Sequence, residues 1–240
     1  MHDTAPFTFK LIPGDKVTDA QFEECAILFS ENYGVWSSRV STPLKPGARV
    51  KMNSNRLKKE VLGDPTRSIL ALCTLDGVHI GHAFATVWPY EGSNVCWVTQ
   101  LVVASGYRER GIATMLLQLF PGPNFKCDAL GIASTHTASC WALAKRSNKL
   151  DLEFIKTHAK NILDASPVPY LKFGLLRGSL FQDDEDSNVA VSSIYTGFYV
   201  DPEEPIRALH RWQKEKGTKW PLGDLAEGNE FLCIIPNRQS

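Results

Sequence analysis

The 240-residue sequence lacks a charge of one sign: 26 basic and 26 acidic residues leave a formal charge of zero. Nucleic-acid and anionic-membrane partners are recognised through clustered excess Lys and Arg, so neither is expected as a partner. No apolar run approaches the roughly 18 residues of a membrane span. The stretch from Met1 to Gly14 has no charged-then-apolar leader pattern. Neither G-x-G-x-x-G nor G-x-x-x-x-G-K-[ST] occurs, which excludes the two common glycine-rich nucleotide loops. Cys25, Cys73, Cys96, Cys127, Cys140 and Cys233 show no paired metal spacing and no disulfide-framework density. They read as small buried residues of a reducing compartment, and no metal is expected. Repeats, low-complexity segments and interdomain linkers are missing too. The expectation is one cytoplasmic domain over residues 1–240, monomeric or homodimeric.

What is present is an ordinary globular composition, 43% hydrophobic and 22% charged. It is organised around Trp97 to Phe120. Val98 to Val103 is a β-branched and apolar run suited to a strand buried on both faces. Ala104 to Arg110 interrupts it with small and charged residues. Ile112, Met115, Leu116, Leu119 and Phe120 then recur at helical spacing. Gly111 and Ala113 sit at the junction, where small side chains let a ligand approach the backbone. A helix start has unpaired N–H groups and partial positive charge, so the turn can hold a phosphate, with Arg108 and Arg110 beside it. An ordinary tight turn with solvated arginines is the alternative.

Arg108-Glu109-Arg110-Gly111-Ile112-Ala113, set between that strand and that helix, resembles the signature of the GNAT superfamily of N-acetyltransferases, Gln/Arg-x-x-Gly-x-Gly/Ala. The resemblance implies an α/β (α+β) fold with a mixed, mostly antiparallel central sheet, splayed between strands 4 and 5 and flanked by helices. It implies acetyl-CoA, or another acyl-CoA, as co-substrate. The amides of Arg108, Glu109, Arg110, Gly111, Ile112, Ala113 and Thr114 would hold the pyrophosphate. The strand Leu101-Val102-Val103 would pair with the pantetheine arm as an added strand does. The Val103 N–H would be the oxyanion donor.

The rest of the chain is read in order. Phe7 to Ile12 alternates as a first strand. Thr18 or Asp19 caps a helix running to about Tyr33, closed by Gly34. The long loop of residues 35–51 would cover the acceptor in such a fold, with Tyr33 and Trp36 either as pocket walls or as core aromatics. A second helix from Asn53 or Ser54 is followed by strands at 68–75 and 78–87 around the Asp76-Gly77 turn, with Gly81 marking a bulge or close approach. After the central strand and third helix come a fifth strand at 129–134 and a helix from Thr137 or Ser139. Extra elements fill about 147–190, including a helix at 152–163, a broken strand at 171–181 and an acidic run at 182–186. Residues 189–200 read as a late strand, 202–216 as a helix with Ile206, Leu209 and Trp212 on one side, and 231–235 as the last strand.

By that resemblance the chemistry is acyl transfer to a primary amine, most simply of a small molecule, by direct attack in a ternary complex. A peptide or protein acceptor, or a non-catalytic acyl-CoA sensor, are the alternatives. Many relatives carry a Tyr in the fourth helix as acid and a Glu on the central strand as base. This chain has Trp141-Ala142-Leu143-Ala144 in the one and no Glu in the other. Thr99 or Gln100 could order a water there. Cys140 is either an acid or a buried small residue, and His136 either a base or a polar cap.

Overall fold

The computed structural model describes residues 7–181 and 190–237; the acidic run at 182–186 lies outside them. β1 (Thr8–Pro13) leads into α1 (Asp19–Asn32), which opens with a reciprocal capping box between Thr18 and Gln21. Asn53 accepts the Arg56 N–H and so caps α2 (Ser54–Val61). β2 (Ser68–Leu75) and β3 (Val78–Tyr90) form a hairpin at Asp76-Gly77, both with positive φ (51° and 79°), as a mirror-image turn requires. β4 (Ser93–Val103) is followed by α3 (Ile112–Gln118), β5 (Ala129–Ser134) and α4 (Thr137–Ala144). Then come α5 (Leu152–Asp164), α6 (Pro169–Lys172), β6 (Leu175–Arg177), β7 (Ser193–Tyr195), α7 (Glu203–Lys216) and β8 (Asn229–Pro236).

The eight strands form one sheet in the order β1-β2-β3-β4-β5-β8-β7-β6. Every pairing is antiparallel except β4 with β5. That parallel junction holds only from Val95–Ala129 to Val98–Ile132. β4 continues to Val103 and β5 to Ser134 without pairing to each other, so the sheet opens there. α1 and α2 pack on one face over Phe22, Cys25, Leu57, Leu70 and Phe84. α3 and α4 pack on the other. Trp97 fills the floor of the junction: a Cβ on Gly131 would lie 2.2 Å from its ring. Among the described residues, no helix is long and apolar enough to cross a membrane.

Three late elements differ from the expected pattern. The strand read at 171–181 is a helical turn and a three-residue strand, because Pro169 occupies the first position of α6 and favours helical φ. Of the strand read at 189–200, residue 189 lies outside the described residues and only Ser193–Tyr195 is strand, since Gly197 takes φ 69° and breaks the ladder. Ile206 is 45% exposed, so the buried side of α7 rests on Leu209 and Trp212.

Candidate functional site

The opening of the sheet leads into a cleft of about 880 Å³ bounded by the end of α1, the β4–α3 loop, α4 and α7. Its size falls within the 300–1,000 Å³ typical of small-molecule sites. Backbone direction explains one wall. The Ala104 N–H bonds to Ile80 O of β3 at 2.9 Å, so by alternation the N–H and C=O of Val103 point the other way, into the opening. Arg108 Nε donates to Val103 O at 3.2 Å, consistent with that direction. Leu101, two residues earlier, shares it. The strand edge facing the cleft is therefore backbone without a partner strand.

The wall continues into the β4–α3 loop. Gly111 takes φ 80°, left-handed, and a Cβ there would meet nothing within 4 Å, so the loop is open towards the cleft. The first helical bond of α3 runs from Met115 N–H to Gly111 O, leaving the N–H groups of Ile112, Ala113 and Thr114 without helical acceptors. At seven residues α3 is short, so the amides rather than a helix dipole make this surface.

Leu101, Val102, Val103, Arg108, Glu109, Gly111, Ile112, Ala113, Thr114, His136 and Tyr33 all line the cleft. Arg110 does not: its guanidinium lies over the Tyr107 ring, 5.2 Å from the centroid. Arg108 faces inward and is shared among Val103 O, Asn32 O and the Glu204 carboxylate, so its charge holds the protein together instead of standing free beside the loop. Gln100 lies on the α1 face, bonded to His82 at 2.8 Å. Thr99 is the extra residue of a β4 bulge opposite Phe84 and Ala85, with Oγ1 buried and unpaired. Cys140 is fully buried, and its carbonyl oxygen lies 3.7 Å from Cys233 Sγ. Trp36 packs edge-on against Phe198, whose ring also meets Tyr33 at 5.9 Å.

His136 caps α4, its Nδ1 accepting from Ala138 N–H at 3.2 Å, and its Nε2 lies 3.9 Å from Glu204. Burial pushes its pKa down and the Glu204 carboxylate partly restores it.

Two features were not read from the sequence. α7 was expected as a packing helix, but its polar side closes the cleft: Glu204 pairs with Arg108, and Arg211 with Glu109. The second is Glu230 at the start of β8. Phe231 packs against Trp220 and Cys233 reaches Cys140, so odd positions of β8 face α4 and Glu230 faces the α1 side. Burial pushes its carboxyl up to about 6, partly offset by a bond from Thr196 Oγ1 at 2.9 Å. Burial raises Tyr33 and Tyr170, and the nearby Glu230 charge adds to both. Tyr170 Oη accepts from Trp97 Nε1 at 3.0 Å, so these groups gather beneath the junction. A lone acid opening an apolar strand was the only signal of Glu230.

Residues 35–120 match the model of the Acetyltransferase (GNAT) family. No curated protein matches the chain in sequence. A ribosomal-protein-alanine N-acetyltransferase from Escherichia coli is 8% identical, with 97% of this chain and 96% of that one aligned at a TM-score of 0.44. An aminoglycoside acetyltransferase from an uncultured soil metagenomic sample, in complex with sisomicin, is 16% identical over 60% of this chain and 87% of its own, at 0.38. The NatC complex bound to Gag peptide and CoA gives 16%, 59%, 82% and 0.38 for the same measures.

Proposed function

We propose that this protein transfers an acetyl or other short acyl group from acyl-CoA to a primary amine, of a small molecule, by direct attack in a ternary complex. The observation that carries the reading is the continuous exposed backbone from Leu101 and Val103 to the amides behind Gly111, along one wall of the cleft. An extended amide-bearing chain can pair with the strand edge, and a pyrophosphate with the loop amides. The Val103 N–H points into the opening and would stabilise the developing oxyanion. Holding both reactants there lowers the barrier by removing orientational freedom, worth as much as roughly 7–11 kcal/mol in model systems.

The amine must lose a proton. Glu230, titrating near 6 and buried on the α1 side beneath the junction behind the cleft wall, is the group we assign that role, acting through a water. On departure the sulfur needs no strong acid, because a thiol pKa is only about 8.5. Tyr33 lines the cleft with Phe198 packed against its ring, and supplies an aromatic surface for the acceptor.

A thermal-shift titration with CoA, acetyl-CoA and longer acyl-CoAs tests the first half. A ligand at 100 times its Kd adds about 2.7 kcal/mol, or roughly 5–10 °C for a chain of this size. An amine panel with thiol detection tests the second. Absence of any shift would sink the reading. A shift without turnover would favour the acyl-CoA sensor, for which the lack of a tyrosine in α4 is the supporting observation.

A further inference from the structure

On the far side of β4 from the cleft, α1 and β3 enclose a cluster that acyl transfer does not use. Cys25 is fully buried in the middle of α1. Its sulfur and one ring nitrogen each of His79 and His82 lie within 4.8 Å of one another. The two histidines are three residues apart, and in a regular strand they would project to opposite faces. The register shift opposite Cys73 and Thr74 makes Ile80 an extra residue. Both rings are thereby turned to the α1 side, where their centroids are 5.2 Å apart. A bulge that re-aims a side chain is commonly a built feature.

Hydrogen bonds determine which ring atoms are available. His79 Nε2 is 3.1 Å from Gly81 O, and His82 Nε2 is 2.8 Å from Gln100 Oε1. Both partners can only accept, so each Nε2 carries the proton and each Nδ1 presents a bare lone pair. Both Nδ1 atoms are buried and have no hydrogen-bond partner. The single thiol proton of Cys25 could satisfy one of them but not both. A ring nitrogen left bare while the other donates to a carbonyl-type oxygen is the arrangement of a metal-bound histidine with its supporting contact.

We propose that Cys25 Sγ, His79 Nδ1 and His82 Nδ1 bind a zinc ion. Bond lengths of about 2.3 Å to sulfur and 2.0–2.1 Å to nitrogen put tetrahedral ligands roughly 3.3–3.6 Å apart, so from within 4.8 Å the cluster closes by at most about 1.5 Å. A nitrogen-and-sulfur set disfavours magnesium and calcium. The fourth position opens to a groove of about 190 Å³ lined by Glu24, Ile27, Leu28, Glu31 and His79. Glu24 lines that groove but is not among the atoms within 4.8 Å of one another, so a water from the groove completes the shell. Binding expels the Cys25 thiol proton to solvent; the imidazoles bind through their bare Nδ1 lone pairs and release none. The ion joins α1 to β3 and, through the His82 to Gln100 bond, to β4 beside the bulge at Thr99.

The test uses the full chain, stripped with a chelator and titrated with Co²⁺ and then Zn²⁺. The expected result is one Co²⁺ per chain, with a thiolate charge-transfer band and the intense visible bands of a tetrahedral site, displaced by Zn²⁺. Cys25→Ser removes the charge-transfer band, His79→Gln weakens Zn²⁺ binding, and Gln100→Leu weakens it about 10–100-fold. His79 is partly exposed, so its variant folds even if a core substitution at Cys25 does not, and circular dichroism checks each. Zinc also raises the melting temperature of the wild type but not of His79→Gln. No thiolate band in the folded wild type, or the same affinity in His79→Gln, overturns the proposal.

Discussion

Replacing Glu230 by glutamine tests the electrostatics of the site without changing its shape. In the folded chain the Glu230 carboxyl titrates at about 6 against an ordinary 4.5, because burial penalises its charged form. A raised folded pKa means that the folded state holds the proton more tightly than the unfolded one. The resulting stability is fully present below pH 4.5 and is lost as pH rises through 6. At 1.36 kcal/mol per pH unit, the loss is about 2 kcal/mol by pH 8. The amide of Glu230→Gln mimics the protonated acid and still accepts from Thr196 Oγ1, so the variant escapes the loss. Thermal melts of both proteins should therefore coincide near pH 4.5, with the variant about 4–8 °C more stable at pH 8. Other titrating groups, such as Asp64 with its hydrogen-bonded, lowered pKa, are common to both proteins and cancel. Under the assigned role the same variant loses acyl-transfer rate, and the rise of wild-type activity through pH 6 disappears with it. A variant equally displaced at both pH values, or less stable at pH 8, would refute the account of Glu230.

Gly111→Val should abolish coenzyme binding in the thermal-shift assay, since its side chain would enter the cleft, while φ 80° adds strain of about 1–2 kcal/mol to the fold. Gly131→Ala should destabilise by about 1–3 kcal/mol, because its methyl would drive Trp97 out of place, and a denaturant melt reads this directly. Arg108→Ala should cost more than Glu204→Gln in the same melts. The exposed ion pair alone is worth under about 1 kcal/mol, but the arginine also holds Val103 O and Asn32 O.

The strand, loop and helix of residues 97–120 were legible because each signal is local: a β-branched run, a glycine where φ must be positive, then a helical repeat. The order of the first four strands was legible for the same reason. What escaped was set by partners distant in the chain. The bulges at Ile80 and Thr99 are choices of register made between strands, and only they turn His79 and Gln100 to the face that His82 and Phe84 share with α1. Cys25, His79 and His82 have no spacing that advertises a shared site. Helix α7 could be read as amphipathic, but its Glu204 and Arg211 meet charges on a loop far back in the chain. Residues 171–181 failed because a proline at a helix start outweighed the apolar run that followed.

The pairing of β5 with β8 bears on how the protein is made. Ser134 lies opposite Phe231 and Ala129 opposite Pro236. A chain growing from the ribosome completes β1 to β4 and their helices as one antiparallel unit, and the strand that covers the outer edge of β5 emerges much later. At 5–20 residues per second, a delay of about a hundred residues is roughly 5–20 s. During it the apolar edge of β5 is open to any other strand. The wall of the cleft opposite the β4 edge is thus finished well after that edge, and synthesis, not only folding, determines when the cleft is complete.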